Sequence, residues 1–247
     1  MAEIEILPDS ETLAMRAAEL FISTAAESIA ARGRFTVALS GGSTPERMYL
    51  VLAAPDKASQ VDWSRVIMLP GDERLVPETD PRSNMGMARR TLLDHVPIPP
   101  ENILHVPADT GASVADAFQR AVAERLGSDE LPALDLIFLG LGSDGHTASL
   151  FPGAPALDVA DRWAIETPPG TLPPPVDRVT FTYPVINNAR RVVFLAAGSD
   201  KAEIAHEVLE GDVPQDTHPA VGIKPVSGEL IWLLDIAAAA KLAPRTV

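Results

Sequence analysis

The sequence predicts an α/β fold built around a mostly parallel sheet, and three observations carry that reading. Short apolar runs alternate with helix-length amphipathic segments along the whole chain. Several runs are almost continuously apolar, as expected of strands covered on both faces. Glycine-rich or charged turns follow some of them, at the end of an open α/β sheet where ligands bind.

Taken in order, residues 10–32 read as a helix capped by Asp9 or Ser10 and stopped near Gly33. Its Leu13, Ala17, Leu20, Phe21 and Ala25 stand at helical spacing. A strand over 35–39 and a helix over 45–52 follow. The next strand, 66–69, leads into Gly71, Asp72, Glu73 and Arg74, read as a charged loop. Ser83 or Asn84 can cap a helix reaching about Leu93, and 114–126 forms another. A strand spans 136–141. The proline-rich stretch 167–175 must be a loop, because proline lacks the N–H that helix or ladder requires. Strands over 179–183, 192–196 and 230–234 complete the sheet. A helix over 201–209 lies among them, and an alanine-rich helix closes the chain. There is no internal repeat and no linker long enough to force a division.

The 247 residues are 46% hydrophobic, enough for a substantial core, and carry a formal net charge of −14. That charge argues against nucleic acid and anionic membrane surfaces, which select basic faces. It leaves a small anionic substrate open, since a few cations can reverse the potential in one pocket. With no cysteine, disulfides, thiolate nucleophiles and cysteine-based zinc sites are excluded. No histidine pair has metal-ligand spacing such as HExxH, so no metal is expected. The N-terminus lacks the basic-then-apolar pattern of a signal peptide, and no run approaches the roughly 20 apolar residues of a membrane span. A cytoplasmic protein is expected.

Chemistry concentrates after the 136–141 strand, where a glycine-rich turn carries Asp144 and His146. A histidine at a strand's carboxyl end, with an acid two residues before it, suits proton transfer near neutral pH. This points to an enzyme. Gly140, Gly142 and Gly145 match the dinucleotide fingerprint formally, but Asp144 and His146 would crowd a pyrophosphate there. A second turn, residues 40–45, reads SGGSTP. Its glycines and the following helix N-terminus form an anion site, with Ser43 and Glu46 spaced as a capping box; an ordinary turn is the plain alternative. In the third segment, 71–74, Arg74 offers a donor fork suited to phosphate, although a solvated loop with a local ion pair explains it equally well. His95, His105 and His206 read as surface or packing residues, and His218 lies in a loop able to reach the pocket. No GxSxG elbow is present.

These motifs together carry a family resemblance. SGGSTP (40–45), GDER (71–74), DPRSN (80–84), LGLGSDGHTASLFPG (139–153) and RVTFTYPVINNAR (178–190) resemble the 6-phosphogluconolactonase family, and GSDKA (198–202) and GELIWLLD (228–235) extend the match over nearly the whole chain. The resemblance implies a Rossmann-like three-layer α/β fold, shared with glucosamine-6-phosphate deaminases, as one domain over 1–247. It implies hydrolysis of 6-phospho-D-glucono-1,5-lactone without a cofactor. Carried over by position, His146 would be the general base and Asp144 its support. Gly42, Ser43 and Thr44 would face the substrate. Arg74 and Lys201 would be the leading phosphate cations, with Arg178 a weaker third, and Asp72 and Asn84 would contact sugar hydroxyls. No nucleic-acid or membrane partner is expected, and a monomer or weak homodimer is.

Two other functions compete: an amino-sugar phosphate isomerase or deaminase, and a non-catalytic sugar-phosphate sensor on the same fold. The deaminases place a glutamate a few residues beyond the motif histidine. Here that stretch is Leu150-Phe151-Pro152, with no acid, which favours simple lactone hydrolysis. Retention of Asp144 and His146 speaks against the sensor.

Overall fold

The computed structural model describes residues 2–107, 113–170 and 175–244. Among them the order is β1 (Glu3–Leu7), α1 (Ser10–Arg32), β2 (Phe35–Leu39), α2 (Ser43–Ala53), α3 (Pro55–Ala58), β3 (Val66–Pro70), β4 (Asp72–Arg74), α4 (Asn84–Thr91) and α5 (Val114–Leu126). Then come β5 (Leu136–Gly140), β6 (Ala164–Thr167), β7 (Arg178–Phe181), α6 (Tyr183–Asn187), β8 (Arg191–Ala196), α7 (Ala202–Glu210) and β9 (Glu229–Asp235). Six strands form a parallel sheet in the order β1-β9-β8-β5-β2-β3. A second, antiparallel sheet has the order β4-β7-β6.

Three layers follow from the side-chain alternation of the central strands. On β8, Val193 and Leu195 enter one apolar cluster with Phe21, Trp63 and Met85 from the side of α1, α2 and α4. Val192, Phe194 and Ala196 enter the other, with Phe118, Val185, Ile204 and the small-sheet residues Val179 and Phe181. Phe194 stacks on its register partner Trp232 at 3.8 Å between ring centres. Burying one such ring contributes about 1.5–3 kcal/mol.

Local signals set most element ends. The Asp9 side chain accepts from Thr12 N at 2.7 Å and opens α1, while Ser83 Oγ accepts from Gly86 N at 2.9 Å and opens α4. The capping box expected at α2 does not form: Gly42 is the N-cap, and no side chain caps the helix. Ser43 is already its first residue, so its hydroxyl is one position too late.

Other expectations also change. The segment 72–74 is a strand, because its backbone pairs with β7 despite the charged sequence. The strand expected over 179–183 ends at Phe181, and Tyr183 begins α6 with Pro184 in its first turn, where a missing N–H costs nothing. Strands β1 and β6 were not read from the sequence. The alanine-rich segment after β9 forms turns, not a helix. There Asp235 Oδ1 takes the Ala238 N–H at 2.7 Å, and the run is too short to meet the cost of helix nucleation. The helix begun at Asn84 stops at Thr91, and that expected from Lys201 starts at Ala202. In the proline-rich stretch, Thr167 ends β6 and residues 171–174 lie outside the described residues.

Candidate active site

The carboxyl ends of β2, β5 and β8, with the start of the small sheet, enclose a cavity of about 250 Å³. Parallel strands aim their C-terminal loops to one edge, which is why residues distant in sequence meet there. Of the predicted site residues, Gly42, Asp72, Arg74, Asn84, His146, Arg178 and Lys201 line this cavity. Asp144 stands behind His146, and Ser43 and Thr44 sit on the first turn of α2 beside Gly42, outside the walls. Ser40, Gly41, Ser143 and Ala148 also line it and were not singled out as site residues.

His146 is largely buried, and its Nδ1 lies 2.5 Å from Asp144 Oδ1. The same oxygen accepts the His146 backbone N–H at 3.0 Å. Burial works to raise the Asp144 carboxyl, but these bonds outweigh it and hold the group below the usual carboxylate range. With Nδ1 committed to the carboxylate, Nε2 is the ring nitrogen left for a reacting group. The turn itself is closed by Gly142 N–H donating to His146 O at 2.8 Å. A side chain at Gly142 would put its first carbon 2.0 Å from His146 Nδ1, so the imidazole occupies space that only glycine leaves.

Beyond the histidine the backbone is strained. Ala148 has φ +49°, a left-handed conformation that costs a non-glycine residue about 1–2 kcal/mol. Side chains hold it there: Thr147 Oγ1 donates to Gly140 O at 2.9 Å, and Ser149 Oγ donates to Asp72 Oδ2 at 2.6 Å. The turn after β5 runs into no α-helix, so this glycine pattern offers no helix N-terminus to a pyrophosphate. His218 does reach this loop from behind, its Nδ1 3.3 Å from Asp144 O and its Nε2 2.7 Å from Glu207.

The turn after β2 is anchored by Tyr49, whose hydroxyl donates to Ser40 O at 2.7 Å and accepts from Ser40 N at 3.1 Å. Burial pushes that phenol far up, so it stays a neutral donor. A side chain on Gly41 would meet Asn84 Oδ1 at 1.9 Å. Asn84 in turn donates to Asp72 O at 2.9 Å. The buried Glu73 carboxylate accepts the Arg74, Asn84 and Met85 N–H groups, fixing the start of α4. Burial raises its carboxyl, and those three bonds offset part of the rise.

Arg74 and Arg178 are direct cross-strand partners of β4 and β7, and both line the cavity. Like charges opposite each other destabilise a sheet. Burial lowers the Arg178 guanidinium, Asp72 works against this, and Arg74 lowers it further. Arg74 Nε is buried without a hydrogen-bond partner, although its Nη1 donates to Arg82 O at 2.6 Å. Lys201 adds a third cation, 3.4 Å from Asp200. Its turn is pinned by Gly198 N–H donating to Asp235 at 3.0 Å. Three cations lining one cavity, in a molecule of net charge −14, give it a local potential that suits an anion.

Among the described residues no three His, Asp or Glu side chains gather as a metal site, and no helix is long and apolar enough to cross a membrane. His105 pairs with Glu78 and neighbours Arg89, His206 pairs with Glu210 and His95 with Arg90 O, all outside the cavity walls.

Comparison with known proteins places the chain in a family. The family model described as glucosamine-6-phosphate isomerases/6-phosphogluconolactonase matches residues 8–232. The chain is 41% identical to a 6-phosphogluconolactonase of Nostoc sp. over 244 residues, covering 97% of this chain and 98% of that protein. It is 38% identical to the Rattus norvegicus 6-phosphogluconolactonase, covering 97% and 93%. The structure of 6-phosphogluconolactonase from Trypanosoma brucei superposes with a TM-score of 0.85 at 28% identity, covering 98% and 99%. A monomeric glucosamine-6-phosphate deaminase shares the fold, with a TM-score of 0.81 at 20% identity over 97% and 99% of the two chains. The chain belongs to the glucosamine-6-phosphate isomerase/6-phosphogluconolactonase family.

Proposed function

We propose that this protein hydrolyses 6-phospho-D-glucono-1,5-lactone to 6-phospho-D-gluconate, with His146 as general base. The observation that carries the reading is the pairing, in one cavity, of an Asp144-held imidazole with two arginines set opposite each other. His146 Nε2 takes a proton from water as the oxygen attacks the lactone carbonyl carbon. The tetrahedral oxyanion then collapses and breaks the bond to the ring oxygen. That oxygen takes the proton back from the imidazolium, and the new carboxylic acid ionises, releasing one proton to solvent. Such transfers contribute about 10²–10⁴ in rate.

Arg74, Arg178 and Lys201 hold the phosphate, whose negative charge relieves the repulsion between the two arginines. Gly42 and the first turn of α2, with Ser43 and Thr44, add backbone donors and the positive helix end. Asp72 and Asn84 meet sugar hydroxyls. Phosphate binding far from the carbonyl holds the lactone in the cavity and lowers KM. The test is proton release from freshly generated 6-phosphogluconolactone against the spontaneous rate. Purified protein should accelerate it, and a rate equal to the blank contradicts the reading. Ammonia release from glucosamine 6-phosphate would instead favour the deaminase.

A further inference from the structure

Phe151 is 6% exposed yet belongs to neither apolar cluster. Its ring centre lies 5.0 Å from that of His146, and the Arg178 guanidinium carbon stands 5.2 Å above the ring. A side chain on Gly170 would fall 2.4 Å from the ring, so backbone packs against it as well. This buried phenyl, outside both apolar clusters, thus touches a base candidate and a phosphate-cation candidate at once.

We propose that Phe151 is the positioning residue that ties these two groups together, a role that rests on the lactonase reading above. The ring holds the guanidinium by cation–π attraction and meets the imidazole as it becomes a cation during proton transfer. It thereby fixes the imidazole and the guanidinium relative to each other, and misplacing the base by an ångström can cost about a hundredfold in rate. The charged groups around this pair are Asp144 on the His146 loop, Asp72 and Arg74 on β4, Lys201 after β8 and His218 behind Asp144. None of them offers a face that holds both groups at once.

The experiment compares Phe151→Leu, which keeps bulk but loses the ring face, with Phe151→Tyr, which keeps the ring. The leucine variant should lose about five- to thirty-fold in kcat on the phosphorylated lactone and as much in affinity for 6-phosphogluconate by calorimetry. On glucono-1,5-lactone, which lacks phosphate, the kcat loss should persist and the affinity loss should vanish. The tyrosine variant should stay within about threefold of wild type. If the leucine variant matches wild type in both kcat and product affinity, or the tyrosine variant is as impaired as it, the proposal is overturned. Should the leucine variant fail to fold, Phe151→Met takes its place under the same criteria. Absence of turnover by the wild type would sink the lactonase reading alone, because calorimetry reads the Phe151–Arg178 pairing without turnover.

Discussion

Two glycine-rich turns leave the neighbouring strands β2 and β5 at one edge of the sheet, and they end in opposite ways. The turn after β2 runs straight into α2, so the N–H groups of the helix's first turn have no intrahelical partner. The turn after β5 enters no helix and uses its own donors instead, Gly142 N–H to His146 O and Thr147 Oγ1 to Gly140 O. One arrangement leaves backbone donors without a side-chain cap. The other consumes them to present a single side chain. On the proposed reading, the same sequence signal marks a holding surface in one place and a chemical group in the other.

Breaking the chemical turn should have the largest effect. His146→Ala should lower kcat by about 10²–10⁴ with little change in KM, read as initial rates of proton release. Gly142→Ala should cost about a hundredfold in kcat, because its methyl would displace the imidazole. An unchanged kcat there would mean that the loop tolerates another histidine position. The holding side should respond differently. Arg74→Ala or Arg178→Ala should raise KM for the phosphorylated lactone by about 10–100-fold, as for a lost charged hydrogen bond, and leave the unphosphorylated lactone unaffected. Equal losses on both substrates would remove their phosphate role.

The smallest effect concerns acid stability. The folded-state Asp144 carboxyl titrates below its ordinary 3.8. Its stabilising contribution is thus complete above that value and is lost as pH falls through the lower folded one. The melting-temperature advantage of wild type over Asp144→Asn should be largest near neutrality and shrink below about pH 4. An advantage that stayed constant with pH would contradict this linkage.

The parallel sheet was legible because its central strands are apolar on both faces, and helical spacing with Gly33 placed α1 to the residue. The small antiparallel sheet was not: 72–74 is three charged residues whose strand character comes only from pairing with β7. That pairing also explains why Arg178 looked the weakest cation in the sequence, since its place opposite Arg74 depends on register across a hundred residues of chain. Asp144 and His146 were visible from spacing alone. Tyr49, Ser149 and Phe151 support the site through contacts that no local pattern announces. His105, read as a bland residue, indeed lies outside the cavity, whereas His218 reaches the back of the Asp144 turn.

The proposed division between a turn that reacts and cations that hold can be tested in one assay. Proton release at saturating 6-phosphogluconolactone should fall by at least about a hundredfold in His146→Ala and recover close to the wild-type rate in Arg74→Ala. Wild-type turnover by the histidine variant under those conditions would contradict the account.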